Sequence, residues 1–255
     1  RPKVHSFVQF SGILHLCGMY LFYTNDIRGQ LAFLDEEEAR HCLQVLRHKV
    51  GDLVHCTDGQ GTRFEGRIVA LNKKGCTLQM EQEEKMPLGR NWKLHLAMAP
   101  TKNADRTEWL IEKAVEIGVD TFTPLWCERS ERKNIRVDRL EKIALSAMKQ
   151  SLSMWLPRME APLAFSDFVE RQTGSAAQLF IAHCMEDAGK VLLQHKCAAG
   201  RDVCILIGPE GDFSPAEVQK ALKAGFEPVS LGTQRLRTET AALSSCLTIH
   251  FVNNQ

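Results

Sequence analysis

The sequence predicts an α/β protein in two parts: a small, mostly antiparallel β-barrel, then a mostly parallel sheet with flanking helices. Three observations predict it. Between residues 19 and 86 the apolar stretches are short and separated by turn residues, as a small β unit requires. A charged stretch from Glu81 to Arg90, carrying Pro87, then reads as a linker. Beyond it, strand-like and helix-like segments alternate to the end of the chain, which argues for parallel strands joined by helical crossovers.

Bulk properties agree with a soluble globular class. The 255 residues are 44% hydrophobic and 25% charged, close to globular averages. No apolar run approaches the roughly 18 residues of a spanning helix, so a membrane-spanning chain is excluded. The net charge of +1 neither demands nor excludes a nucleic-acid partner. Nine cysteines form an odd set without a CxxC pair. That argues against a disulfide framework or a zinc ribbon and for a reducing cytosol, giving a cytoplasmic expectation.

Residues 1–18 match neither helical nor strand periodicity, and Met19 is the expected start; the segment is read as a leader added or translated ahead of it. The barrel is expected over 19–86. Met19 to Tyr23 is its first strand. Asp35 and Glu38 open a short helix carrying Ala39, Cys42, Leu43 and Leu46. Leu53 to Thr57, Phe64 to Leu71 and Cys76 to Glu81 follow as strands, with Asp58-Gly59-Gln60-Gly61 as a hairpin signal.

The second domain is expected over 90–255. Its strands are Trp92 to Ala97, Val119 to Leu125, Leu179 to Ala182, Val203 to Ile207 and Glu227 to Leu231. Its helices are Asp105 to Ile117, closed by Gly118, then Val137 to Ser151, Asp187 to Lys196, Ser214 to Ala224 and Glu239 to Ile249.

Two strand ends carry the chemistry. Ile207-Gly208-Pro209-Glu210-Gly211 leaves an apolar strand and enters a helix with Ser214 at N-cap, Pro215 at N1 and Glu217 at N3, so the turn faces the crevice above the strand. Leu231-Gly232 ends the next strand, and its turn carries Arg235, Leu236 and Arg237 ahead of a helix that Thr238 caps, with Glu239, Thr240 and Ala241 in its first turn. In open α/β sheets ligands bind at such carboxyl ends. Each feature also has a plain structural reading: a tight turn at Gly208, a dipole partner in Glu239, and an Arg237–Glu239 ion pair.

These residues resemble the RsmE-type bacterial ribosomal RNA uridine N3-methyltransferases of the SPOUT superfamily. GPEG at 208–211 and LG at 231–232 with LRTETA at 236–241 carry the resemblance. His41, Val45, Leu46, Arg47, Gly51-Asp52, the Asp105–Gly118 helix and Glu128-Arg129-Ser130 extend it. The chain departs from the family pattern at Gln234, where an arginine is common, and at Lys149. The resemblance implies a PUA-like RNA-binding barrel, a SPOUT domain with a carboxyl-terminal trefoil knot, S-adenosylmethionine as cofactor and a homodimer.

It further implies methylation of a uridine at N3 in small-subunit (16S) ribosomal RNA. The cofactor would lie on Ile207, Gly208, Pro209, Glu210, Gly211, Leu231, Gly232, Leu236, Arg237, Thr238, Thr240 and Ala241. Arg235 or Arg237 would stabilise charge growing on the base, and Glu239 would orient an arginine or assist deprotonation. Arg47, Arg106 and Arg129 are expected to contact RNA; Arg47 has no acidic neighbour in sequence. No metal is expected, because His41, His48 and His55 do not fall on one face.

Two other readings remain. One is a knotted methyltransferase acting on another RNA such as tRNA, and the other a ribosome-assembly RNA-binding protein without turnover. A dinucleotide-dependent oxidoreductase lacks its GxGxxG. The stretch 128–142, with Arg129, Arg132, Lys133, Arg136, Arg139 and Lys142 interleaved with acids, reads equally as a solvated face or an RNA strip.

Overall fold

The computed structural model describes residues 20–185 and 190–254. The leader at 1–18, the Met19 start and the first residues of the helix expected from Asp187 lie outside the described residues. The described chain forms two compact units.

The first unit is built from β1 (Leu21–Tyr23), β2 (Asp26–Arg28), β3 (Leu31–Leu34), β4 (Leu53–Thr57), β5 (Thr62–Asn72) and β6 (Gly75–Lys85) in one sheet of order β1-β4-β5-β6-β3-β2. β1 and β2 stand at opposite ends of that order although only Thr24 and Asn25 separate them, so the sheet must curl on itself. Thr24 closes the seam: its N–H donates to Thr57 O, and its hydroxyl donates to Phe33 O. All pairs are antiparallel except β1 with β4.

Alternating inward residues, among them Phe22, Ala32, Leu34, Val54, Phe64 and Leu78, fill the interior. Asp35 caps α1 (Glu36–Arg40) by accepting from Glu38 N–H, and the next turn widens at His41–Val45, where Leu46 N–H reaches His41 O. β6 runs on to Lys85 instead of ending in a linker at Glu81, because β5 continues beside it with Arg63 opposite Glu84 and Thr62 opposite Lys85. Leu152–Trp155 packs with this unit, Gly61 N–H donating to Met154 O.

The second unit holds an all-parallel sheet. β7 (Leu94–Met98), α2 (Ala104–Ile117), β8 (Thr121–Trp126) and α3 (Val137–Gln150) come first. The short β9 (Arg158–Met159) and β10 (Leu163–Ala164), with α4 (Phe165–Gln172), follow and were not legible as elements. β11 (Gln178–Ala182), β12 (Val191–Leu192), α5 (Leu193–Lys196), β13 (Val203–Ile207), α6 (Pro215–Lys223), β14 (Glu227–Ser230) and α7 (Thr238–Asn253) complete it. The expected helix to Lys196 is in fact the two-residue β12 and a single turn.

The strand order is β10-β8-β7-β13-β11-β14-β12, with β9 beside β8. The chain passes from β11 to the edge at β12, returns across to β13, and comes back to place β14 between β11 and β12. α7 then packs against α2, β7 and β13. This doubling back belongs to the SPOUT-type fold class expected from the sequence.

The unit's core explains the apolar runs. β13 is buried at every residue, as a central parallel strand must be. Around it Leu125, Phe165, Phe168, Ile181, Leu206, Phe213 and Val218 form one cluster. α2 is capped by Asn103, whose side chain accepts from Asp105 N–H, and ends at Gly118 with φ +99°, a conformation that favours glycine.

Candidate active site

Because the strands run parallel, the carboxyl ends of β7, β13, β11 and β14 lie side by side at one edge of the sheet. The two glycine turns follow β13 and β14, and the end of β11 lies between them. His183, 9% exposed, stands at that end, and its carbonyl accepts from Lys190 Nζ at 2.8 Å.

The turn after β13 is tightly built. A Cβ on Gly208 would lie 3.1 Å from the ring of Phe213, which is fully buried. Glycine is needed here for close approach within the loop, and φ is not in the left-handed region. Ser214 and Glu217 form the full capping box at the start of α6, Ser214 N–H donating to Glu217 Oε2 and Glu217 N–H to Ser214 Oγ.

Neighbouring loops brace this turn. Lys102 N–H donates to Glu210 Oε1 at 2.9 Å, and Glu128 N–H to Glu217 Oε1 at 2.8 Å. The Arg129 guanidinium donates to Gly211 O at 3.0 Å. Cys184 N–H donates to Asp212 Oδ2 at 2.8 Å. The loop is thus preorganised by contacts from three segments distant in sequence. Arg129 clamps loop carbonyls, a contact its sequence neighbours did not announce.

The turn after β14 is open. Gly232, Thr233, Gln234, Arg235 and Arg237 are exposed, while Leu231 and Leu236 are half-buried. Gly232 has φ +123° and is held by Ser230, whose hydroxyl both donates to Gly232 O and accepts from its N–H. α7 begins one residue earlier than its side chains suggested: Arg237 is the N-cap by backbone conformation, without a side-chain cap, and Thr238 is already helical and buried. Thr240 is exposed and Ala241 half-buried.

Glu239 is 7% exposed in the first turn of α7. Its Oε1 lies 3.7 Å from Arg106 Nε on α2, and its Oε2 is buried without a hydrogen-bond partner among the described residues. The sequence suggested an Arg237–Glu239 pair; the partner is Arg106 instead. Arg235 and Arg237 make no ion pair among the described residues. A nucleoside ligand fits this edge: a buried acceptor at Glu239, open glycine backbone at Gly232 and apolar sides at Leu231 and Leu236.

In the first unit Arg47 is exposed with φ +58° and makes no ion pair among the described residues. The three nearby histidines go separate ways. His41 stacks on Tyr20 at 4.5 Å, His48 Nδ1 meets Asp52 at 3.1 Å and His55 Nδ1 meets Glu65 at 3.5 Å. Among the described residues no group of three His, Cys, Asp or Glu is disposed to hold a metal.

Comparison with known proteins bears on this geometry. Residues 89–250 match the RNA methyltransferase domain family, and residues 34–81 match the RNA methyltransferase PUA domain. The chain is 31% identical to the ribosomal RNA small subunit methyltransferase E of Buchnera aphidicola over 84% of this chain and 85% of that protein. A protein of the same name from Mesomycoplasma hyopneumoniae is 31% identical over 88% and 96% of the two chains.

Among solved structures, a probable rRNA-methyltransferase from Porphyromonas gingivalis superposes with TM-score 0.86 at 43% identity, covering 92% of this chain and 99% of that one. A ribosomal RNA small subunit methyltransferase E from Neisseria gonorrhoeae, solved bound to S-adenosyl methionine, superposes with TM-score 0.80 at 26% identity, covering 92% and 98%.

Proposed function

The chain belongs to the RNA methyltransferase family that includes ribosomal RNA small subunit methyltransferase E, and from that membership we propose that it methylates a uridine at N3 in 16S ribosomal RNA. It is an S-adenosylmethionine-dependent rRNA methyltransferase. The observation that supports the finer reading is that two exposed arginines, Arg235 and Arg237, lie in the turn that leads into α7, whose first turn carries the buried, half-partnered Glu239.

S-adenosylmethionine would be held by Ile207 to Gly211, Leu231-Gly232 and Leu236 to Ala241, and it supplies an electrophilic methyl on a sulfonium. The chain's own part is positioning and charge. Holding the uridine N3 in line with that methyl supplies much of the acceleration. N3 must lose its proton, which spreads negative charge over the base carbonyl oxygens, and the N–C bond would then form as the methyl's bond to sulfur breaks. Arg237 or Arg235, neither of them ion-paired among the described residues, meets that charge. Glu239 orients Arg106 through Oε1 and keeps Oε2 as an acceptor for a hydroxyl, an amine or the departing proton.

The first unit, with Arg47 exposed on it, recruits the RNA, and the protein works in the cytoplasm, where ribosomal RNA is found. Among the described residues no helix is long and apolar enough to cross a membrane. The working form is a homodimer. What supports this is α7, where Leu243 and Leu247 stay half-exposed and Phe251 is 62% exposed at i, i+4 and i+8. A helix with such a second apolar stripe fits an isologous interface.

Transfer of labelled methyl to small-subunit rRNA by the purified protein, with tRNA in parallel, tests the reading. Label in N3-methyluridine of the rRNA supports it. Label in tRNA alone would favour a tRNA enzyme, and binding of rRNA without transfer a non-catalytic assembly factor. An active monomer at micromolar concentration would remove the dimer.

A further inference from the structure

We propose that a small cavity between α2 and α3 is a subsite for the sugar–phosphate backbone of the substrate RNA, seating one phosphate against Arg132 and Arg136. The proposal rests on the reading of ribosomal RNA as substrate and goes beyond it by naming where the strand is gripped. The cavity is about 50 Å³, floored by Pro100, Ala104, Ile135 and Leu140, flanked by Thr107 and Glu108 and rimmed by Arg132, Arg136 and Arg139. That exceeds the roughly 10–15 Å³ of such space that holds one water, which leaves room for a phosphate or a sugar edge. The apolar floor suits a ribose face; the rim suits an anion.

The three rim arginines are not equivalent. Arg139 is spent on Glu108 in a two-pronged pair, at 2.5 and 2.7 Å, and forms a fixed wall. Arg136 pairs with Asp138 at 2.9 Å, but both side chains are well exposed, at 70% and 61%, so the pair is weak and exchangeable. Arg132 is different again. It is half-buried, and among the described residues its guanidinium donates only to carbonyl oxygens, Asn134 O at 2.7 Å and Lys102 O at 3.2 Å.

Those two bonds hold the Arg132 fork in place without neutralising it, leaving a positioned cation with donors to spare beside the cavity. A phosphate is the anion whose geometry a guanidinium fork matches.

Position ties the cavity to the reaction. Pro100 to Lys102 continue directly from the carboxyl end of β7, and Lys102 N–H is the group that braces Glu210 of the glycine turn. The subsite therefore lies at the same edge of the sheet as the reacting loops, within the same unit. A strand gripped there presents a neighbouring base to that edge.

Equilibrium binding of a single-stranded small-subunit rRNA fragment, measured against salt for the full chain and for Arg132→Ala, Arg132→Gln and Lys133→Ala, tests this. Lys133 is exposed, carries the same charge and does not line the cavity. Both Arg132 variants should weaken RNA binding roughly five- to tenfold and lower the slope of log K against log salt by about 0.7, the value for one phosphate on a single strand.

Lys133→Ala should lose less than half as much, and cofactor affinity should stay unchanged in all three. Arg132→Gln keeps a donor for the carbonyls, so the comparison survives if Arg132→Ala melts early. Equal losses at 132 and 133, or no loss at 132 in a chain that still methylates RNA, would overturn the subsite. A wild-type chain that neither binds nor methylates rRNA would instead overturn the substrate reading, and the subsite with it.

Discussion

Arg106 on α2 and Glu239 on α7 meet at 3.7 Å, joining two helices that the sequence separates by most of the second unit. Glu239 is almost fully buried, and Arg106 and the amino end of α7 are the positive groups beside it. An isosteric amide keeps the shape and removes the charge. Glu239→Gln is expected to lower kcat by tenfold or more with little change in melting temperature. Stopped-turnover kinetics beside calorimetry would check it; normal kcat would reduce Glu239 to a helix-end partner.

The division of labour between Arg47 and Arg237 gives a second prediction. Neither makes an ion pair among the described residues, so truncation removes a positive charge without stranding a carboxylate. Arg47→Ala should raise the KM for RNA and flatten the salt dependence by about one unit of slope, leaving cofactor affinity alone. Arg237→Ala should lower turnover on the order of a hundredfold. Lower melting temperatures with normal kinetics in both would withdraw these roles.

Gly208 gives a third. Because the place of its Cβ is taken up by the buried ring of Phe213, Gly208→Val must push that ring or distort the turn. Overpacking of this kind costs about 1–3 kcal/mol. Thermal melts should show that loss together with weaker cofactor binding, whereas unchanged affinity would make the glycine a matter of packing alone.

The fourth concerns acid stability and lies away from the reacting edge. His95 Nε2 meets Thr123 Oγ1 at 2.7 Å, and Thr123 donates to Glu160, which Arg158 and Arg171 also hold. Burial pushes the His95 imidazole down to about 4, from 6.5 when unfolded. Between those values the unfolded chain binds the proton and the native chain does not.

Stability contributed by neutral His95 is therefore complete above about pH 6.5 and lost as the pH falls toward 4, with a slope of up to about 1.4 kcal/mol per pH unit. For Glu160, burial works against ionisation, but bonds from Thr123 and Arg171 outweigh it and hold the carboxyl below its ordinary value, so its share is lost at still lower pH. Urea melts from pH 7 to pH 4.5 should show the His95 slope in the wild type and lose it in His95→Gln.

Much of this was legible because local chemistry and global fold agree. Ser214, Pro215 and Glu217 mark the start of α6 by residue type alone, and the unbroken apolar run Val203–Ile207 announces a central parallel strand. Other features were hidden for stated reasons. β6 continues past Glu81 through residues exposed on both faces, so no alternation betrays it. α7 starts at Thr238 because Arg237 supplies the extended backbone of an N-cap without a capping side chain, and side-chain preference pointed one residue too late.

The Arg106–Glu239 and Arg129–Gly211 contacts depend on tertiary folding, and no spacing in the chain encodes them.

The central claim is methyl transfer to uridine N3 of small-subunit ribosomal RNA. Mass-spectrometric nucleoside analysis of that RNA, from cells with and without this protein and from cells carrying only Arg237→Ala, tests it most directly. N3-methyluridine should disappear without the protein and be strongly reduced in the variant. An unchanged N3-methyluridine content, or loss of a different methylated nucleoside, would contradict it.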